Sequence, residues 1–132
     1  YDPELSPLTP GDITVPISNY PDAVDYANRI GDEYHVPVAC FGHAGDGNVH
    51  YFVMVDPDDP EMVADGEEIS KKLVERAIDL GGTATGEHGI GVGKREHLRT
   101  EHGDDTVDAM RAIKDTLDPN GVLNPGKIFP ED

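Results

Sequence analysis

Two histidines and one glutamate lie in glycine-rich segments at a spacing that predicts a metal site. His43 and His50 belong to the stretch GHAGDGNVH at residues 42–50, and Glu87 belongs to GEHG at residues 86–89. Two imidazoles and one carboxylate form a common catalytic zinc set, which leaves a coordination position open for water or substrate. Manganese or iron would accept the same ligands. The alternative interpretation is that both histidines are ordinary polar residues of a loop.

The pair Asp46-Gly47 predicts how the two histidines come together. It is a strong signal for a two-residue hairpin turn, because Asp and Gly tolerate the positive φ that such turns require. With this turn, His43 lies directly opposite His50, and directly opposite residues share a face with Cβ atoms about 4.5–5.5 Å apart. The two imidazoles could then share one divalent ion. A longer loop would shift the pairing by a residue or two.

The residue after Glu87 is His88, which makes it a candidate general base beside the predicted metal. Histidine side chains accept protons near neutral pH. The alternative is a loop histidine whose ring is satisfied by the backbone. Asp46 is assigned to fixing the turn or to supporting a metal ligand.

The charge balance argues against anionic partners and indicates a protein adapted to high salt. The chain has 132 residues, with 27 acidic against 10 basic side chains and a formal charge of −17. This excess argues against nucleic acid or an anionic membrane as a partner, and the 36% apolar content argues against disorder. The acidic residues are spread along the chain, which fits a surface adapted to high salt, where self-repulsion is screened. We therefore expect a halophilic source.

The first residue and the single cysteine give two further expectations, about the extent of the chain and the state of its thiol. It starts at Tyr1, with no initiator Met, no signal peptide and no apolar run long enough to span a membrane. We therefore expect a fragment of a longer protein. The single cysteine, Cys40, excludes an intrachain disulfide and lies in an apolar run, which is typical of a buried free thiol.

The order of the predicted elements indicates the fold class. Strands are predicted at 12–18, 36–42 and 49–55, and helices from Pro21 to Tyr34, from Pro60 to Leu80 and from Asp104 to Leu117. The inward stripe of the last helix is Val107, Met110, Ile113 and Leu117. This order predicts an α+β, ferredoxin-like sandwich, in which helices cover one face of a small antiparallel sheet. The other face is then free to cover a partner domain.

Three motifs, in this order, resemble the C-terminal domain of the FAD-linked oxidases. They are GHxGDGNxH at 42–50, GGTxTGEHGxG at 81–91, and LDP with LNPGK between 117 and 127. The resemblance spans roughly residues 12–129. The group includes D-lactate dehydrogenase, the flavin subunit of glycolate oxidase and D-2-hydroxyglutarate dehydrogenase, within the vanillyl-alcohol oxidase superfamily.

The resemblance implies the oxidation of a D-2-hydroxy acid to the 2-oxo acid, with hydride transfer to FAD. In the family the two His and the Glu of these motifs hold a divalent metal, usually zinc or manganese, which here places it on His43, His50 and Glu87. His88 would take the hydroxyl proton of the substrate.

The resemblance also implies two flavin contacts and a missing domain. Asn48 and Asn124 resemble positions that line the flavin side. The FAD-binding domain and the basic residues that hold the substrate carboxylate would precede Tyr1, so residues 1–132 correspond to the C-terminal substrate or cap domain. We therefore expect the isolated chain to be inactive. The implied partners are that FAD domain, a small 2-hydroxy acid and an unidentified electron acceptor, and the implied location is cytoplasmic, or peripheral at the membrane through the full-length enzyme.

Two other classes of function stay open. One is a stand-alone metal-dependent hydrolase or lyase, in which Glu87 or His88 activates water and no flavin is needed. The other is a binding remnant that caps a partner without chemistry. Flavin absorbance of the full-length protein and its metal content distinguish these classes from an oxidase.

Overall fold

The computed structural model describes residues 4–8 and 10–130, and these form two compact units, the first ending at Glu87 and the second beginning at His88. The elements of the first unit are the strands β1 (Ser6–Pro7), β2 (Gly11–Thr14), β3 (Val38–His43) and β4 (Asn48–Val55), and the helices α1 (Tyr20–Tyr34) and α2 (Pro60–Asp79). The elements of the second unit are the helices α3 (His97–His102) and α4 (Asp104–Leu117). None of the helices within these described residues has the length and apolar content of a membrane span.

The centre of the four-stranded antiparallel sheet is β4, with which all the other strands pair. Both β2 and β3 pair along its N-terminal part, so they occupy its two edges. The short strand β1 pairs with Met54 and Val55, at the C-terminal end of β4. This small antiparallel sheet with its helices confirms the predicted α+β class.

The strand predicted at 12–18 is shorter in the structure, because β2 ends at Thr14. Val15 still donates a backbone hydrogen bond to Gly47, at 3.0 Å, but Pro16 has no N–H and cannot extend the ladder. The chain turns there into a 3-10 segment, Ile17–Asn19.

The alternating pattern of β4 gives the sheet two different faces. Its odd-numbered residues, Val49, Tyr51, Val53 and Val55, are buried. Gly66 of α2 lies against Val53 and Val55, and Gly31 of α1 lies against Val38. Both helices therefore cover this one face, as predicted.

The opposite face, which we call the open face, presents aromatic and polar side chains. On β4 it carries Asn48, His50 and Phe52, and on β3 it carries Phe41 and His43. The Phe41 ring lies 5.4 Å from the rings of both His50 and Phe52. The candidate ligands of β3 and β4 thus lie on the side of the sheet away from α1 and α2. Cys40 alternates to the helix side, where it is half-buried, and this burial raises the pKa of its thiol.

The two long helices of the first unit begin and end within one residue of their predicted bounds. Asp59 accepts hydrogen bonds from the N–H groups of Glu61 and Met62, and Pro60 occupies the first turn of α2. Pro21 has the same role in α1. The buried residues of α2 include Ile69, Leu73 and Ala77.

In the second unit, the predicted bounds of α4 are correct but part of its predicted inward stripe is wrong. Val107 is fully buried, whereas Ile113 and Leu117 are 62% and 75% exposed. Helical periodicity identifies an apolar face, but burial also needs an element that packs against it. The short helix α3, which buries Leu98, has no counterpart among the predicted elements.

The turn after α4 is organised by a buried carboxylate. Asp118 accepts hydrogen bonds from the backbone N–H groups of Val122 and Leu123, each at 2.9 Å. Its side chain also pairs with the ammonium group of Lys114. The hydrogen bond from Lys114 is the largest cause that lowers the pKa of Asp118 below its usual value.

Candidate metal centre

The loop between β3 and β4 has four residues, 44–47, so the predicted two-residue turn is wrong. His43 pairs with Asn48, and Phe41 is the residue opposite His50. The reason is the position of Gly47, which has a φ of +74° and packs closely against the backbone of Val15. A Cβ there would lie 2.0 Å from the carbonyl oxygen of Val15. Gly47 therefore allows a close tertiary contact, and the turn begins earlier.

The change of register leaves the two histidines on one face, because it amounts to two residues and side chains alternate with period two. His43 is diagonal to His50, and their ring centroids lie 5.5 Å apart with an interplanar angle of 86°. The predicted convergence of the two imidazoles is therefore present, although the direct pairing is not.

Glu87 reaches the same face from the segment after α2, which lies beside β2. Thr83 and Thr14 exchange backbone hydrogen bonds, which join this segment to β2. Glu87 Oε1 lies 3.6 Å from His43 Nε2, and Glu87 Oε2 lies 3.8 Å from His50 Nε2. The structure thus brings together the three side chains predicted as metal ligands.

The donor set fits a divalent cation. One ligand atom from each of the three side chains lies within 4.8 Å of the other two. Donors about 2.0–2.1 Å from a common tetrahedral ion are themselves about 3.3 Å apart, and the distances of 3.6 and 3.8 Å from the Glu87 oxygens to His43 and His50 are close to this value. The His43 and Glu87 side chains are 58% and 57% exposed, against 11% for His50. A small molecule could therefore approach from the open face.

A residue that the sequence analysis did not single out, Asp12, lies beneath this cluster. Its carboxylate is fully buried, and Oδ2 accepts hydrogen bonds from the N–H groups of Gly86, at 2.8 Å, and Glu87, at 2.6 Å. Its Oδ1 lies 3.7 Å from His50 Nδ1. A lone carboxylate within a predicted strand was no sufficient signal for it, because the partners that let an acidic side chain be buried come from other segments of the chain.

Asn48, predicted to line the flavin side, lies in the sheet next to Asp12. It is buried, and its Nδ2 donates to Asp12 Oδ1 at 2.7 Å and to Thr14 Oγ1 at 3.4 Å. Its Oδ1 is buried with no hydrogen-bond partner among the described residues. The flavin contact of Asn48 stays a prediction.

The other two predicted site residues lie in the second unit. His88 is the first residue of that unit and is exposed. Asn124 is exposed and has a φ of 46°, in the left-handed region. Their roles as base and flavin contact stay predictions.

Comparison with known proteins identifies related sequences along almost the whole chain. A family model described as "FAD linked oxidases, C-terminal domain" matches residues 8–128. The mitochondrial D-lactate dehydrogenase [cytochrome] of Kluyveromyces lactis is 43% identical over 118 residues, which cover 89% of this chain and 20% of the relative. The glycolate oxidase subunit GlcD of Bacillus subtilis is 40% identical over 121 residues, which cover 92% of this chain and 26% of the relative.

A solved structure shares the fold. The 4-ethylphenol oxidase of Gulosibacter chungangensis, in its isoeugenol complex, superposes with a TM-score of 0.65 at 20% identity. The match covers 98% of this chain and 26% of that one. The chain therefore spans between a fifth and about a quarter of the length of these proteins.

Proposed function

This chain belongs to the C-terminal domain family of the FAD linked oxidases, and from that membership we propose that it is the substrate or cap domain of a flavin-dependent dehydrogenase or oxidase. The proposed reaction is the oxidation of a D-2-hydroxy acid to the 2-oxo acid. Lactate and glycolate, after which these relatives are named, are both 2-hydroxy acids. We assign most of the FAD site, and the contact with the electron acceptor, to parts of a longer protein outside these 132 residues.

The proposed metal ligands are His43, His50 and Glu87, with zinc or manganese as the ion. The observation that carries this proposal is the convergence of the three donor atoms within 4.8 Å on the open face. When bound, such an ion acts as a Lewis acid that polarises the hydroxyl and carboxylate oxygens of a 2-hydroxy acid. The exposure of His43 and Glu87 provides the access that a substrate needs.

The proposed base is His88, which would accept the hydroxyl proton of the substrate. The reaction would balance in this way: the 2-hydroxy acid would give that proton to His88 and lose a hydride from its C2 carbon, and a flavin held mainly by the rest of the longer protein would supply the two-electron acceptor. An imidazole is suited to this proton transfer near neutral pH. Asn48 and Asn124 are proposed to lie on the flavin side.

The proposed setting is a cytoplasm of high salt, with the full-length enzyme free or peripheral at the membrane. The support for it is the formal charge of −17 on 132 residues, which salt would screen.

The substitution Glu87→Gln, made in the longer flavoprotein that contains this domain, tests the proposal. Gln keeps the shape of the side chain but lacks the anionic oxygens that bind a divalent ion. We expect E87Q to lose the bound metal and to oxidise 2-hydroxy acids more than about 100-fold more slowly, which exceeds the usual cost of losing a residue that only supports a ligand. Metal analysis and steady-state rates provide the two measurements.

The matched control is Glu67→Gln, at an exposed position of α2, which should keep both the metal and the rate. Normal metal content and normal turnover in E87Q would contradict the proposed site. Metal without flavin absorbance in the longer protein would instead favour the hydrolase or lyase.

A further inference from the structure

The Asp12 carboxylate connects the two segments that provide the candidate metal ligands. Asp12 lies on β2, which pairs with β4 so that Asp12 is directly opposite His50. It also accepts hydrogen bonds from the segment that carries Glu87. One fully buried side chain therefore contacts both His50 and the backbone of Glu87.

The contact with Glu87 is made through the backbone. Two consecutive N–H groups, of Gly86 and Glu87, donate to the same oxygen of Asp12, at 2.8 and 2.6 Å. Hydrogen bonds to an ionised carboxylate are among the stronger ones in proteins. Because the Glu87 side chain is largely exposed, its position depends on how firmly this backbone is held.

The contact with His50 concerns the ring nitrogen that faces away from Glu87. His50 Nδ1 lies 3.7 Å from Asp12 Oδ1, and His50 Nε2 lies 3.8 Å from Glu87 Oε2. A carboxylate beside one ring nitrogen favours the tautomer with the proton on that nitrogen. The lone pair of Nε2 is then directed toward the other donors. Asn48 Nδ2, which donates to Asp12 Oδ1 at 2.7 Å, holds the carboxylate in this orientation.

We propose that Asp12 is a positioning residue for the metal centre: it selects the His50 tautomer with Nε2 free for the ion and fixes the backbone of Glu87. This inference rests on the proposed function, since it requires that His43, His50 and Glu87 bind a cation. Asp12 is not among the side chains whose donor atoms converge on the candidate site, which are His43, His50 and Glu87.

The substitution Asp12→Asn in the full 132-residue chain tests the role of Asp12. The amide keeps the shape of the side chain but replaces one accepting oxygen with a donor and removes the negative charge. We expect D12N to bind Zn²⁺ about 10–100-fold more weakly than the wild type, the usual effect of losing a residue that orients a ligand. The measurement is competition for Zn²⁺ with a chromophoric chelator, accompanied by urea unfolding of the metal-free proteins.

The matched control is Asp118→Asn, which makes the same change at a second buried carboxylate that accepts two backbone N–H groups. The Asp118 side chain contacts Lys114, Val122 and Leu123, which all lie in the second unit. We expect D118N to be less stable toward urea, yet to keep the wild-type affinity for Zn²⁺. A purely structural role of Asp12 would make the two variants behave alike.

Each outcome has a distinct meaning. Wild-type affinity in D12N, with normal binding by the unmodified chain, would overturn the role of Asp12 and leave the metal site standing. Failure of the unmodified chain to bind Zn²⁺ would overturn the proposed metal site, and this inference with it.

A measurement on the wild type keeps the test valid if D12N does not fold. In the zinc-loaded chain, ¹⁵N–¹H correlation spectra of the histidine rings should show the proton of His50 on Nδ1. A proton on Nε2 would contradict the proposal.

Discussion

The packing around Gly86 shows why a residue without a side chain precedes a proposed metal ligand. A Cβ at this position would lie 1.9 Å from Asn48 Nδ2 and 2.6 Å from both Asp12 Oδ1 and Thr14 Oγ1. Such distances are far inside van der Waals contact. Only glycine lets the backbone approach the Asp12 carboxylate closely enough for the hydrogen bonds that hold Glu87.

The substitution Gly86→Ala should therefore destabilise the chain and disturb the proposed site. We expect a loss of about 1–3 kcal/mol in the free energy of unfolding, the usual cost of overpacking a filled site, together with weaker Zn²⁺ binding. Urea unfolding and zinc competition measure the two effects. The control is Gly45→Ala in the β3–β4 loop, where an added Cβ meets nothing within 4 Å. Equal stability of the two variants would contradict the prediction.

Among single residues, the sequence reveals metal ligands more readily than the residues that support them. His43, His50 and Glu87 could be singled out because their types and glycine-rich surroundings indicate metal chemistry. Asp12 could not, because its role depends on three chain segments that meet only in the folded sheet. A lone Asp in a weakly alternating strand carries no local sign of such partners.

Among the elements, helix bounds could be predicted well and strand register could not. Pro21 in α1 and the Asp59-Pro60 pair in α2 act within a single turn of helix, so the local sequence is sufficient. The β3–β4 register depends on the contact of Gly47 with Val15, which is a tertiary interaction. Burial along α4 likewise depends on whether another element covers it.

The difference between a covered and an uncovered helix face predicts two opposite mutational effects. Leu73→Ala on α2 should cost about 2–5 kcal/mol of unfolding free energy, because Leu73 is fully buried and its loss leaves a cavity. Leu117→Ala on α4 should change it by no more than about 0.5 kcal/mol, because Leu117 is exposed. Urea unfolding of both variants measures these changes. A large cost at Leu117 would show that this face of α4 is covered in solution.

For the whole molecule, the net charge should dominate the response to salt. A formal charge of −17 on 132 residues produces self-repulsion in dilute buffer. In molar salt the screening length falls to about 3 Å, so most of this repulsion is removed.

We therefore expect the thermal unfolding midpoint to rise from low salt to molar KCl. Circular dichroism melts measure this change, and sucrose, which is excluded from protein surfaces without screening charge, is the control. A midpoint that does not change with KCl would contradict the hypothesis of a halophilic source.

The alternation of buried and open-face residues along β4 limits how the register of this strand can change. The buried residues of β4 are Val49, Tyr51, Val53 and Val55. A shift of β4 by one residue would turn all four toward water, so only shifts by two residues keep the interior apolar. Every such step leaves His50 on the same side of the sheet. The apolar interior thus keeps the imidazole of His50 on the open face, and we expect the tip of the neighbouring hairpin to tolerate insertions or deletions without turning it away.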